Sequence, residues 1–129
     1  MKVDILGMKK VLIVEDDRAM LDILSDHLGR TFEIARAEDG EQGFKFIQDF
    51  KPDLVLLDLL LPKLPGIELL EKLRKLPDPA IANTKVIIFS NFSSEEYFKK
   101  AQEFHAEYLV KSLTDLPVLV EKIEKTLAS

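Results

Sequence analysis

Leu54-Val55-Leu56-Leu57-Asp58 runs four consecutive apolar residues into a single carboxylate. A strand with one wet face alternates apolar and polar residues, whereas an unbroken apolar run of this length suits a strand covered on both faces in a parallel sheet. Val11-Leu12-Ile13-Val14 and Val86-Ile87-Ile88-Phe89 have the same character, so these three runs are expected to be the central strands. Phe32–Ala35 and Tyr108–Val110 complete a set of five.

Between the runs, apolar residues recur at helical spacing: Leu21, Leu24 and Leu28; Phe44, Ile47 and Phe50; Leu69, Leu70, Leu73 and Leu76; Tyr97, Phe98, Ala101 and Phe104. A fifth set, Leu116, Leu119, Val120, Ile123 and Leu127, follows the last strand. Ser93 with Glu96 reads as a capping box for the fourth helix, Thr114 as the cap of the fifth, and Leu76–Ala82 as a loop. Alternation of five strands with five helices predicts right-handed crossovers and an α/β fold, a doubly wound five-stranded parallel sheet with helices on both faces.

A chain of 129 residues with 47% hydrophobic content suits one domain, read as residues 9–129 after an N-terminal extension over 1–8. Against 18 basic side chains stand 23 acidic ones, and the net charge of −5 argues against a sequence-independent grip on nucleic acid. The absence of cysteine excludes disulfides and thiolate metal sites. The apolar runs fall well short of the roughly 20 residues that span a bilayer, and Met1–Gly7 lack the pattern of a signal peptide, so no membrane insertion and a cytoplasmic location are expected.

In an open α/β sheet, functional groups gather at the carboxyl ends of the strands. Glu15, Asp16 and Asp17 follow the first run, Asp58 the third, Ser90 the fourth and Lys111 the fifth. Carboxylates brought to one rim repel one another unless a cation sits among them, and hard oxygen ligands without His or Cys point to magnesium, which often completes its shell with a phosphate oxygen. A lysine and a serine hydroxyl at the same rim suit phosphoryl oxygens, and the central carboxylate is the expected nucleophile.

Val11-Leu12-Ile13-Val14-Glu15-Asp16-Asp17, Pro52–Asp58 with Pro62 and Gly66, Val86–Ser90 and Tyr108–Lys111 stand in the order and spacing of four signature segments, and over residues 9 to 128 the chain resembles the response regulator receiver domains of two-component signalling. The resemblance implies a (βα)5, flavodoxin-like or CheY-like fold and a phosphorelay domain that is not an enzyme on external substrates. It would catalyse only its own phosphorylation and dephosphorylation. Asp58 would be the phosphoacceptor, charged by a sensor histidine kinase or phosphotransfer protein. Mg2+ would be held by Asp16 and Asp58 directly, by Glu15 through water and by the Leu60 backbone carbonyl. Lys111 and Ser90 would contact the phosphate, and Ser90 with Tyr108 would form the switch. A downstream protein partner would read the fourth helix, fifth strand and fifth helix; a homodimer of the phosphorylated form stays open. No direct contact with nucleic acid is implied.

Three residues depart from the family pattern. Ser112 stands where a proline, often preceded by a cis peptide, usually follows the lysine; Asn91 replaces a small residue; Leu60 sets an apolar side chain over the site. Ser112 and Asn91 keep open a second reading, a phosphorylation-independent pseudo-receiver scaffold. An aspartate-nucleophile phosphatase would want a second Asp two residues past the nucleophile, where Leu60 stands, and a flavin domain would want a phosphate loop after Val14.

Overall fold

The computed structural model describes residues 7–129, so the expected extension over 1–8 lies outside the described residues except for Gly7 and Met8. The three apolar runs become β1 (Lys10–Val14), β3 (Leu54–Leu57) and β4 (Lys85–Ser90), flanked by β2 (Glu33–Ala37) and β5 (Glu107–Val110). All pairings are parallel, in the order β2-β1-β3-β4-β5, so the three runs read as central are the three that have a neighbour on each side.

Side-chain alternation explains why every residue of β3 is apolar. Val55 and Leu57 point into one core with Leu12, Val14, Val86 and Ile88, while Leu54 and Leu56 point into another with Val11, Ile13, Ile87 and Phe89. The first core is closed by Ile47 of α2 (Gly40–Phe50), Leu69, Leu70 and Leu73 of α3 (Gly66–Arg74), and Ala101 of α5 (Glu95–Glu103). The second is closed by Leu21, Leu24 and Leu28 of α1 (Arg18–Leu28) and by Leu119 and Ile123 of α6 (Leu116–Ala128). The chain runs outward from β1 to β2, then returns past β1 to β3; with right-handed crossovers, that reversal puts α1 on the opposite face from α2.

Several local expectations need correction. Leu76–Ala82 is not all loop: Pro79–Ala82 forms a one-turn helix, α4, capped by Asp78, whose carboxylate accepts the Ala80 N–H at 3.0 Å. An Asp-Pro step at the cap and first helical position carries that signal. The cap of α5 is Ser94 and not Ser93; Ser94 takes the extended backbone and its hydroxyl accepts the Tyr97 N–H at 3.2 Å. This register also puts Glu95 and Glu96 in the first turn, near the positive end of the helix dipole. Asp115, not Thr114, caps α6 and accepts the Val118 N–H at 3.0 Å. A cap at Thr114 would have put Pro117 third in the helix, where the cap needs an N–H that proline lacks.

In α2 the inner face is formed by Gly40, Gly43 and Ile47, with Phe44 and Phe46 packed at its flanks. A Cβ on Gly43 would stand 2.9 Å from Val14 Cγ1, so the missing side chain is what brings this helix onto β1. Arg74, at the end of α3, donates to the carbonyls of Phe104 (2.7 Å), Ala82 (2.8 Å) and Thr84 (2.7 Å). It ties α3, α4 and α5 together at the edge of the sheet where β4 and β5 begin, away from the rim where the acidic residues gather. Among the described residues no helix is long and apolar enough to cross a membrane.

Candidate functional site

Strand register brings the acidic residues together. Val14 is paired with Leu57, and Leu57 with Ile88, so the residues that follow β1 and β3 leave the sheet side by side. Glu15 and Asp58 are buried, at 2% and 8% exposure, while Asp16 faces solvent. One carboxylate oxygen from each of Glu15, Asp16 and Asp58 lies within 4.8 Å of the others. Asp17 turns away to cap α1, its carboxylate accepting the N–H groups of Ala19 at 3.0 Å and Met20 at 3.2 Å. Of the three consecutive acids, only the first two therefore belong to the cluster.

Asp58 is held on both oxygens. Ser90 Oγ donates to Oδ1 at 2.7 Å, the Leu60 N–H reaches the same oxygen at 3.3 Å, and Lys111 Nζ approaches Oδ2 at 2.9 Å. The same ammonium also donates to Glu15 Oε1, bridging two buried carboxylates that belong to neighbouring strands. Burial pushes the Glu15 carboxyl above its ordinary range, and the Asp58 charge adds to this, against the opposing pull of Lys111 and the Asp17 N–H. For Lys111 burial alone would lower the value, but its hydrogen bonds to Glu15 and Asp58 outweigh it and hold the ammonium above its usual range. One ammonium against three carboxylates leaves a concentrated negative charge lined by hard oxygens, a donor set that fits a divalent cation such as magnesium.

The loop carrying Asp58 is pressed against glycine. A Cβ on Gly66 would stand 2.2 Å from the Asp58 carbonyl oxygen, and one on Gly40 would stand 1.8 Å from the Leu64 carbonyl oxygen. Leu60 extends from this loop with 59% of its surface exposed, beside the cluster. Tyr108 is half-buried on β5, its ring 4.5 Å from that of Phe98 and its hydroxyl donating to the Phe92 carbonyl. Burial, and then the charges of Asp58 and Tyr97, raise its pKa.

Among the described residues no peptide bond is cis, so the backbone passes from Lys111 to Ser112 in the ordinary trans form. The Ser112 N–H is used: it donates to Asn91 Oδ1 at 2.7 Å. Sequence reading singled out both residues as departures without linking them. The one available signal was that an amide acceptor appears at position 91 in a chain where position 112 has regained an N–H.

Residues 11–124 match the family described as the response regulator receiver domain. The chain is 29% identical over 122 residues to the chemotaxis protein CheY of Halobacterium salinarum, covering 94% of this chain and 98% of that protein. It is 41% identical over 68 residues to the alkaline phosphatase synthesis transcriptional regulatory protein PhoP of Bacillus subtilis, covering 52% of this chain and 28% of that larger protein. In structure it superposes on a CheY-like response regulator receiver domain protein from Methanospirillum hungatei with a TM-score of 0.86 and 31% identity, over 95% of each chain. With the fold, the acidic rim and these likenesses in agreement, the chain belongs to the response regulator receiver domain family of two-component signalling.

Proposed function

We propose that this domain accepts a phosphoryl group on the Asp58 carboxylate from the phosphohistidine of a sensor kinase or phosphotransfer protein, with Mg2+ bound at Glu15, Asp16 and Asp58. The observation that carries this reading is that Asp58 is contacted on one oxygen by Ser90 and on the other by Lys111, within a cluster of three carboxylates. Such a carboxylate is oriented and its charge is partly compensated, the conditions a nucleophile needs at a rim this acidic. In the transfer an Asp58 oxygen forms the new P–O bond while the P–N bond of the donor breaks and its electron pair returns to the imidazole. A bound Mg2+ would neutralise the carboxylates and the charge spread over the transferring oxygens. Asp16 and Asp58 would be direct ligands, Glu15 an outer one and the Leu60 carbonyl a further one.

The other residues gain roles from the same geometry. Lys111, now shared between Glu15 and Asp58, would transfer one of its hydrogen bonds to a phosphoryl oxygen. Ser90 would donate to another instead of to Asp58 Oδ1, and its displacement would open room for Tyr108 to turn inward from Phe98. Phe98, Leu113 and Val118, all exposed, lie on α5, the turn after β5, and α6. The downstream partner would read this face as its shape changes with phosphorylation.

Intact mass after incubation with Mg2+ and acetyl phosphate tests the reading. Wild type is expected to gain one phosphoryl mass, and neither Asp58→Asn nor a chelator-treated sample should do so. No gain in the wild type would overturn the proposal and favour a phosphorylation-independent scaffold.

A further inference from the structure

A short 3₁₀ turn, Lys111–Leu113, follows β5 and opens without a cap of its own, since Val110 precedes it and contributes no side-chain hydrogen bond. The first N–H groups of a helical turn have no partner within it and need an acceptor from elsewhere. Here the acceptor comes from the neighbouring strand. Ser90 pairs with Val110, so Asn91 and Lys111 leave the sheet next to each other, and Asn91 Oδ1 takes the Ser112 N–H at 2.7 Å. On the far side, Thr114 Oγ1 donates to the Val110 carbonyl at 2.9 Å and the Thr114 N–H to the Lys111 carbonyl at 3.2 Å. The backbone of Lys111 is thus bracketed while its ammonium crosses to Glu15 and Asp58.

We propose that Asn91 is a positioning residue for Lys111, a cap supplied across strands that fixes the backbone from which the ammonium reaches the phosphoryl site. This rests on the reading of Asp58 as phosphoacceptor. Lysine carries a compact charge on a flexible stem, so where its ammonium sits depends on how firmly its own backbone is held. Asn91 and Ser112 act as one unit: proline at 112 would remove the donor, and alanine at 91 the acceptor.

Wild type, Asn91→Ala, Asn91→Asp, Ser112→Pro and the Asn91→Ala/Ser112→Pro double variant would be compared for initial phosphorylation rate at saturating acetyl phosphate and Mg2+. Mg2+ affinity by calorimetry and exchange of the Ser112 amide by NMR complete the set. Asn91→Ala is expected to slow transfer about fivefold, the worth of one hydrogen bond, and to leave Mg2+ affinity within about twofold. It should also speed exchange of the Ser112 amide, and Asn91→Asp, which keeps the acceptor, should restore slow exchange. With Ser112→Pro already present, Asn91→Ala should cost nothing further. A wild-type rate in Asn91→Ala, losses that multiply in the double variant, or Mg2+ affinity falling in step with the rate would each overturn the assignment. Should Ser112→Pro fail to fold, the two Asn91 variants decide alone. A wild type that gains no phosphoryl mass refutes the phosphoacceptor reading and this role with it, while amide exchange still reports separately whether the bond exists.

Discussion

Replacing Gly66 by alanine adds one methyl group to the first position of α3, and its effect can be worked out from three distances. The new Cβ would lie 2.2 Å from the Asp58 carbonyl oxygen, 2.8 Å from Leu59 Cα and 3.0 Å from the Asp58 carbonyl carbon. All three atoms are backbone, so no side chain can rotate out of the way. Among the described residues no glycine has a positive φ, which removes backbone strain as the reason for glycine here and leaves close approach alone. Since Cβ contacts below 3.0 Å are essentially never seen, the Asp58 loop must retreat by about 0.8 Å. Carried through to the carboxylate, that movement would disturb the 2.7 Å bond from Ser90 and the 2.9 Å bond from Lys111, and the full displacement along either would lengthen it to about 3.5 Å or more, the limit of a useful hydrogen bond. Misplacing a reacting group by about 1 Å costs on the order of 100-fold in rate, and overpacking of this kind costs about 1 to 3 kcal/mol of stability. The assay is the initial rate of mass gain with acetyl phosphate and Mg2+, at a temperature where circular dichroism reports a folded variant. Gly43→Ala is the comparison, because the three atoms nearest its Cβ would be side-chain methyl groups of Val14 and Leu69, at 2.9 to 3.3 Å. It should phosphorylate at close to the wild-type rate. A Gly66→Ala rate within about threefold of wild type would refute the claim that close packing at this glycine positions the acceptor.

Arg74→Met should lower stability by about 3 kcal/mol, since the carbonyls of Phe104, Ala82 and Thr84, and more distantly that of His105, lose a charged donor, while leaving phosphorylation intact in the folded protein; urea unfolding checks the first, and a loss below about 0.5 kcal/mol would contradict it. Asp115→Ala should cost about 1 kcal/mol by the same measurement, because the Val118 N–H loses its cap. The Tyr108 phenol is raised above its ordinary value of 10.0, so the folded state keeps this proton longer than the unfolded chain does. Its stabilising effect is therefore fully present below that value and fades as pH rises through the folded pKa. The difference in urea midpoint between wild type and Tyr108→Phe should shrink in that alkaline range, and a constant difference would contradict the shift. Leu60→Asn puts a polar group in place of the exposed leucine beside the site, and one added hydrogen bond to an attacking water would shorten the phosphorylated lifetime about fivefold; an unchanged lifetime would dispose of a shielding role for Leu60.

The fold was legible because its strongest signals are local. β1, β3 and β4 are apolar at every position that meets a core, and α1, α3 and α6 repeat their leucines and isoleucines at helical spacing. Caps were harder, since Ser93 and Ser94, or Thr114 and Asp115, are all residue types that cap helices, and the course of the chain decides which side chain reaches a free N–H. For α2 the apolar pattern marked Phe44, Ile47 and Phe50, of which Ile47 is buried, and it passed over Gly40 and Gly43, buried on the same face, because a residue without a side chain leaves no trace in a hydrophobic period.

For the site, sequence alone was enough to deliver Glu15, Asp16, Asp58, Ser90 and Lys111 to one rim, since each ends a strand of a parallel sheet or stands within two residues of its end, and such strands end together. Tertiary structure alone decided which groups share a bond. That Lys111 spans Glu15 and Asp58, that Gly66 touches the Asp58 backbone and that Asn91 caps the turn after Lys111 all depend on strand register and loop course. The physical reason is range: strand and helix patterns are written within a few residues, whereas these contacts join residues from 8 to 96 positions apart that meet only once the sheet has assembled.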